Sequence, residues 1–151
     1  MIALAFESPD QPEVIALIAA LDAYQLTLYP PESVYALDLA ALMAPQVKFA
    51  VARDAAGAIV GCGAVVLMDG YGEIKRMYVT PAARGQGAAT RLMALLEQAT
   101  RDAGHTLIQL ETGPAQPAAI ALYERHGFER CGPYGAYRDD PLSVFMRKSL
   151  S

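Results

Sequence analysis

The feature that most constrains this chain is a strand followed by a glycine-containing turn and a long helix, within residues 72–103. Residues 73–79 are rich in apolar and β-branched positions and predict a strand. Thr80 and Pro81 end it, because proline fixes φ and lacks an amide donor. After the turn at residues 82–87, apolar residues recur at helical spacing: Ala88, Leu92, Leu95, Leu96, Ala99 and Ala103. Such a unit presents unpaired amides and the positive end of a helix dipole to an anion. We therefore predict a phosphate-binding turn.

Three known phosphate-turn patterns can be compared with this turn. A nucleotide P-loop requires Lys-Ser or Lys-Thr after its glycines, and neither follows here. A dinucleotide fingerprint, G-x-G-x-x-G/A, meets Thr90 at its last position, and no acidic residue is placed to bind a ribose. The third pattern, Arg-x-x-Gly-x-Gly/Ala, fits at Arg84, Gly87 and Ala89, directly after a strand that ends Val-x-Pro.

Composition limits the class of protein. At 151 residues with 54% hydrophobic content, the chain suits a single domain over residues 1–151. A formal net charge of −4 argues against nucleic acid as a partner and favours a cationic substrate. We recognise no signal peptide and no apolar span of about 20 residues, so we expect a cytoplasmic protein with no membrane partner. Cys62 and Cys131, with two histidines, do not make a zinc site, so no metal is expected.

The apolar patterns predict the element order β-α-α-β-β-β-α-β-α-β-β. Strands at residues 47–54, 58–68 and 73–79 are joined by short turns, which is typical of an antiparallel meander. A strand at residues 106–111 follows the long helix and should lie parallel to the strand at 73–79. The first helix starts at Pro12 and can extend to Leu28, and a second helix runs from Glu32 to just before Pro45. We predict a mixed sheet with helices on both faces.

A second motif follows the long helix. Its spacing, A-x-x-L-Y-x-x-x-G-F, is met by Ala119, Leu122, Tyr123, Gly127 and Phe128. Gln116 stands where the pattern usually has asparagine, a shorter amide with the same donors and acceptors. Together the two motifs resemble the GNAT superfamily of acyl-CoA-dependent N-acyltransferases, and the wider pattern resembles a bacterial subfamily of small acetyltransferases. The resemblance covers roughly residues 47–148.

The resemblance implies a fold and a cofactor. The fold is α/β, with a mostly antiparallel central sheet of six to seven strands, about four flanking helices and a splayed parallel strand pair. The cofactor is acetyl-CoA, with CoA as the product. Main-chain groups implied to contact its pantetheine arm belong to Met77, Tyr78 and Val79, with the Gln116 side chain nearby. Groups implied to cradle its pyrophosphate belong to Arg84, Gly85, Gln86, Gly87, Ala88, Ala89 and Thr90. Arg84 and Arg91 could supply positive charge.

The same resemblance implies catalytic residues. An amine with a pKa near 10.4 is neutral in only about one molecule in 2,500 at pH 7, so a base must accept its proton. Glu73 lies where some GNAT members place a glutamate base, and Glu111 is the rival base or an amine-binding carboxylate. Tyr123 occupies the family's general-acid position for the departing thiolate. The alternatives are a solvated Glu73–Lys75 pair and a purely structural Tyr123.

The acceptor site carries no fixed motif. In GNAT-like folds the helices after the first strand shape it, and residues of the loop at 134–140 could line its rim. Candidates for acceptor binding are Tyr24, Gln25, Tyr29, Glu32, Tyr35 and Tyr137. These tyrosines could instead cover an edge of the core. The leading hypothesis is direct acetyl transfer to a primary amine of a small molecule. The alternatives are an acyl-CoA-binding sensor and an enzyme acting on a peptide or protein lysine. The edge strands near the C-terminus suggest a homodimer.

Overall fold

The computed structural model describes residues 1–150. Within that range the strands are β1 (Ala3–Phe6), β2 (Val47–Arg53), β3 (Ile59–Leu67), β4 (Gly72–Val79), β5 (Leu107–Thr112), β6 (Glu129–Cys131) and β7 (Val144–Ser149). The α-helices are α1 (Pro12–Leu28), α2 (Leu39–Leu42), α3 (Ala88–Asp102) and α4 (Pro117–Arg125). Single 3₁₀ turns lie at Pro31–Ser33 and Pro81–Ala83. Ser151, the last residue of the predicted domain, lies outside the described residues.

The strands form a mixed sheet in the order β1-β2-β3-β4-β5-β7-β6. Neighbouring strands are antiparallel except β4 and β5, which the crossover helix α3 makes parallel. Backbone pairing between β4 and β5 covers residues 72–74 opposite 108–110, so the two strands diverge beyond Ile74 and Leu110. This confirms the predicted mostly antiparallel sheet with one splayed parallel pair.

A β-bulge bends β4 where it leaves β5. Across the β3–β4 ladder Cys62 faces Tyr78, whereas Ala64 faces Lys75, so two residues of β4 stand opposite one residue of β3. The bulged residues are Arg76 and Met77. Arg76 has a φ of +57°, in the left-handed region that residues other than glycine rarely adopt. Because a bulge increases local bend and twist, it turns the end of β4 away from β5.

Each face of the sheet packs against helices. On β2, Phe49 and Val51 point to the side covered by α1 and α2, whereas Ala50 and Ala52 point to the side of α3 and α4. This alternation follows from the two-residue period of a strand. The larger core includes Leu92 and Leu96 of α3, Ile120 and Tyr123 of α4, and Ile74, Ile108 and Leu110 of the sheet. Helices on both faces were predicted and are confirmed.

The predicted second helix is wrong in extent. Residues 34–38 are extended, and only the short helix α2 follows, capped by the Asp38 carboxylate, which accepts from the Ala41 amide at 2.8 Å. The Lys75 ammonium binds the Tyr35 carbonyl at 2.8 Å, and the Arg76 guanidinium binds the Leu37 carbonyl. Carbonyls held by these side chains do not enter a helical hydrogen-bond ladder, so the segment stays extended.

The other predicted elements are confirmed to within one or two residues. α1 reaches Leu28, and its 17 residues make it the longest helix described. None of the helices in residues 1–150 combines the length and the apolar character that crossing a bilayer requires.

Candidate active site

Three adjoining cavities form one cleft along the gap between β4 and β5. The inner, middle and outer cavities have volumes of about 100, 310 and 330 Å³. The inner and middle cavities share Leu21, Met77, Gln116, Ala119 and Tyr123. The middle and outer cavities share Val79, Arg84, Ala89, Ala118 and Leu122. A single elongated ligand can therefore reach from the helix α3 turn to the inner cavity.

The outer cavity lies at the start of α3. Gly87 is the N-cap with a φ of +80°, and no side chain caps the helix, so its first amides stay free for an anion. Arg84 and Arg125 line this cavity and bring positive charge to it. Arg91 is directed elsewhere and donates to the Ile2 carbonyl.

The middle cavity is a mainly apolar slot. The bulged end of β4 forms one wall through Met77, Tyr78 and Val79, and α4 forms the other. Tyr24 lines this slot rather than the inner cavity. The slot has the length and the apolar lining that suit an extended, uncharged chain.

Gln116 stands at the junction of the middle and inner cavities. Its Oε1 accepts a hydrogen bond from the Tyr29 hydroxyl at 3.2 Å. Tyr29 reaches it by crossing over Gly113, where a Cβ would overlap the tyrosine ring and hydroxyl. Only glycine at position 113 allows this approach, so Tyr29 is held as a wall of the inner cavity.

Glu111 and Tyr123 line the inner cavity from opposite sides of the sheet. Burial raises the pKa of Glu111 to about 7, and the neighbouring Ser143 hydroxyl, followed by the Lys75 ammonium, opposes part of that rise. Tyr123 is 7% exposed, and burial raises its pKa to about 12, so it is neutral near pH 7. Its ring packs edge-on against Phe128 at a centroid distance of 5.7 Å. The cavity wall therefore includes a carboxylate that titrates near neutrality and, facing it, the neutral phenol of Tyr123.

Glu73 lies beneath the loop at residues 132–143 rather than on the wall of the inner cavity. It is 6% exposed, and its Oε2 accepts from the hydroxyls of Tyr134 at 2.9 Å and Tyr137 at 2.6 Å. The Lys75 ammonium lies 3.4 Å from the same oxygen and also contacts Tyr137. Burial, with the nearby Glu73 carboxylate, raises the pKa of both tyrosines. This network anchors the loop at residues 132–143 to β4.

A second contact joins that loop to the segment at residues 31–38. The Asp140 carboxylate accepts from the Ser33 hydroxyl at 3.0 Å and the Tyr35 hydroxyl at 2.7 Å. Hydrogen bonds from the Leu142 amide, which has the larger effect, and from the Tyr35 hydroxyl lower the pKa of Asp140. The two segments meet beside Tyr35, which lines the inner cavity, so they form a roof over it.

Most predicted site residues lie along the cleft. Of the candidates for cofactor contact, Gln86 alone is not among the lining residues that the structure describes, and its side chain is exposed. Among the acceptor candidates, Gln25, Tyr29 and Tyr35 line the inner cavity. Glu32 is exposed on its 3₁₀ turn, and Tyr137 lies in the Glu73 network.

Two arginines at the cleft were missed by the sequence reasoning. Arg125 follows Ala118 and Leu122 at helical spacing, so the face of α4 that lines the outer cavity could have indicated it. Arg76 lines the inner cavity through the bulge. Nothing in the local sequence signals its left-handed backbone, because arginine does not favour positive φ.

The fold and cleft define a cofactor-dependent acyltransferase of the GNAT type. The family model described as the acetyltransferase (GNAT) family matches residues 15–128, and the chain belongs to this family. The chain is similar to an IAA acetyltransferase of Azospirillum brasilense, with 48% identity over 151 residues, covering 99% of this chain and 98% of the relative.

Solved structures agree with this assignment. A Klebsiella pneumoniae protein assigned as an acyl-CoA N-acyltransferase superposes with a TM-score of 0.85 at 42% identity, covering 100% of this chain and 99% of that chain. N-acetylglutamate synthase of Neisseria gonorrhoeae, complexed with coenzyme A and N-acetyl-glutamate, shares the fold at a TM-score of 0.77 and 18% identity. This structural match covers 100% of this chain and 35% of the synthase chain. The chain is an acyltransferase, and acetyl-CoA is its cofactor.

Proposed function

We propose that this protein transfers an acetyl group from acetyl-CoA to a primary amine of a small molecule, by direct attack within a ternary complex. One observation carries the proposal: Glu111 and Tyr123 line an inner cavity that opens, through an apolar slot, to a helix start with free amides. The acceptor and the cofactor can therefore enter from opposite ends and meet at Tyr123.

The residues of the cleft fit acetyl-CoA. The outer cavity offers uncapped α3 amides together with Arg84 and Arg125 for a diphosphate, and the middle cavity offers an apolar slot for an extended arm. When bound, acetyl-CoA supplies an activated acetyl thioester. Met77, shared by the middle and inner cavities, marks the position where the arm would end.

We assign the base to Glu111 rather than Glu73. A carboxylate with a pKa of about 7 can accept a proton from an ammonium substrate and remain partly ionised at neutral pH. Glu73 already accepts hydrogen bonds from two tyrosines and lies against Lys75, so its carboxylate is occupied. Tyr123, neutral at pH 7, can donate its proton towards the inner end of the slot.

The roof over the inner cavity favours a small acceptor. The contacts of Asp140 with Ser33 and Tyr35 hold the two segments of the roof together above an inner cavity of about 100 Å³, which suits a small amine better than an extended peptide. Residues 1–150 would act as one acetyltransferase domain, since both cores pack on one sheet. The free thiols of Cys62 and Cys131 suit a reducing compartment such as the cytoplasm. A homodimer through the edge formed by β6 remains a prediction.

The test is release of CoA from acetyl-CoA in the presence of a panel of primary amines, with mass spectrometry of each product. IAA, the acceptor in the name of the Azospirillum relative, and a lysine-containing peptide belong in the same panel. We expect turnover with a small primary amine and a product carrying one added acetyl group. Glu111→Gln should abolish most of this turnover.

Glu124→Gln is the matched control, because Glu124 is exposed on α4 and undergoes the same chemical change. It should behave like the parent. Binding of CoA with no turnover on any acceptor would favour the sensor alternative. Turnover with the peptide alone would favour a protein lysine as the acceptor. Turnover with IAA alone would identify IAA, rather than a primary amine, as the acceptor.

A further inference from the structure

The side chain of Arg76 connects three parts of the molecule that surround the inner cavity. Its Nε and Nη2 donate to the Leu37 carbonyl at 2.9 and 2.8 Å, and its Nη1 contacts the Asp22 carboxylate. The arginine side chain is 6% exposed, whereas that of Asp22 is 41% exposed. The guanidinium thus lies buried between the β4 bulge, helix α1 and the extended segment that follows the 3₁₀ turn.

Each of these parts contributes to the wall of the inner cavity. Leu21 and Gln25 flank Asp22 on α1 and line the cavity. Val34, Tyr35 and Ala36 precede Leu37 and line its roof. The distance between the roof and the bulge is therefore set by a side chain that starts on the bulge itself.

The backbone of Arg76 is strained in the same place. A left-handed residue other than glycine is unfavourable, so contacts must hold it there. The Cys62 thiol donates to the Arg76 carbonyl at 3.2 Å, and the guanidinium holds the other end of the residue. A glycine would adopt this φ more easily, so the arginine at position 76 carries a conformational cost that its side-chain contacts have to offset.

We propose that Arg76 is a positioning residue for acceptor binding: it fixes the roof segment and α1 at a set distance from the β4 bulge. This inference rests on the proposed acetyl transfer for its functional meaning. The guanidinium acts through Leu37 and Asp22 and needs no contact with the acceptor. The outer cavity, which is proposed to hold the diphosphate, shares no lining residue with the inner cavity, so we expect the affinity for CoA to depend little on this contact.

Two substitutions separate the backbone from the side chain. Arg76→Gly removes the guanidinium but keeps a residue that favours positive φ, so the bulge is preserved. Arg76→Ala removes the guanidinium and also disfavours the bulge. We expect Arg76→Gly to raise the acceptor KM by about 10- to 100-fold, the loss typical of hydrogen bonds to a charged group, with kcat and the Kd for CoA within about twofold of the parent. Arg76→Ala should raise KM similarly and also lower kcat.

Two further variants serve as comparisons. Asp22→Asn keeps the Leu37 contact and removes one charge, so it should raise KM in the same direction but by less. Arg130→Gly makes the same change on the exposed edge strand β6 and should leave both kinetic constants unchanged. An Arg76→Gly enzyme with the parent KM, or one with an equal loss of CoA affinity, would overturn the proposal.

Hydrogen exchange measured by mass spectrometry tests the contact without requiring activity. Arg76→Gly should speed exchange at the hydrogen-bonded amides on either side of Leu37, at Val34 and at residues 41–43, and leave α3 unchanged. Equal protection of these amides in parent and variant would overturn the proposal. If the parent turns over no acceptor, the proposed function fails, and the exchange result still decides whether Arg76 holds the roof.

Discussion

Glu73 and Glu111 face the same side of the sheet but have different surroundings. Their neighbours Ile74 and Leu110 point into the α3 and α4 core, so both carboxylates point to the α1 side. Glu73 receives two tyrosine hydroxyls and lies beside Lys75. Glu111 lines the inner cavity, where burial raises its pKa. The residue type alone predicts neither role, because the partners decide which carboxylate is available to a substrate.

The first prediction at this scale concerns the pH dependence of turnover. With Glu111 as the base, kcat/KM should rise with pH through about 7 and then level off, because the carboxylate must be ionised to accept a proton. Glu111→Gln should lower kcat/KM by about 100- to 10,000-fold and remove this rising limb. The comparison variant is Glu73→Gln. If the rise of kcat/KM with pH persists in Glu111→Gln and is lost in Glu73→Gln, the base is Glu73.

The same residue predicts a pH-dependent stability. The pKa of Glu111 is raised from 4.5 to about 7 on folding, so between these values the folded chain holds a proton that the unfolded chain has lost. Stability is therefore lost as pH rises through this window and stays lost above it. Glutamine does not titrate. The unfolding free energy of Glu111→Gln minus that of the parent should therefore be higher at about pH 8 than at about pH 5. The increase should be on the order of 2 kcal/mol, allowing for solvent screening.

Urea unfolding of both proteins at the two pH values measures this difference. The substitution changes packing equally at both pH values, so this effect cancels when the variant-minus-parent unfolding free energy at one pH is subtracted from that at the other. Glu124→Gln, on the exposed side of α4, should show no such pH dependence. An equal stability difference at both pH values would contradict the raised pKa.

At the scale of elements, the turn before α3, which we propose binds the diphosphate, depends on glycine geometry. Gly57 in the β2–β3 hairpin and Gly87 at the start of α3 have φ values of +85° and +80°, and a Cβ at either position would have nothing within 4 Å. Alanine at each should therefore cost about 1 kcal/mol of stability through the backbone alone. Only Gly87→Ala should also weaken CoA binding, by about tenfold, because the turn amides would change direction.

Calorimetry with CoA and thermal unfolding measure the two effects separately. Gly57→Ala controls for the loss of stability, since its hairpin lies away from the cleft. If both variants bind CoA as tightly as the parent, the α3 turn does not hold the diphosphate.

The elements themselves follow largely from local patterns. The strands and the helices α1, α3 and α4 were predicted because apolar periodicity, proline and glycine act over a few residues. The segment at residues 34–38 was mispredicted as helical. Its apolar spacing resembles a helix, yet Lys75 and Arg76, distant in sequence, bind its carbonyls. A pattern read along the chain contains no information about such partners.

At the scale of the whole molecule, charge distribution predicts acceptor preference. The net charge of −4 favours cationic acceptors. Both cations on the inner cavity wall are already paired, Lys75 with Glu73 and Arg76 with Asp22. A carboxylate next to the reacting amine would lie beside Glu111, and the described residues that line the inner cavity offer it no unpaired cation. 2-Phenylethylamine should therefore have a kcat/KM at least about tenfold higher than phenylalanine.

Steady-state kinetics with a third compound, phenylalanine amide, tests the reason for this preference. The amide keeps the bulk of the amino acid and removes its charge, so it should recover most of the lost kcat/KM. A preference for phenylalanine over its amide would mean that Lys75 or Arg76 exchanges its partner for the substrate.

The sequence by itself determined the order of elements, the glycine-containing turn before α3 and the two motifs that carry the family resemblance, since each depends on residues close together in the chain. Tertiary structure alone decided which glutamate lines the inner cavity, how Arg76 holds the roof and that Arg125 reaches the outer cavity. Those features depend on the splay of β4 from β5 and on contacts between residues such as Arg76 and Asp22. Burial and pairing arise only when distant segments pack, and they set the pKa and availability of each charged group.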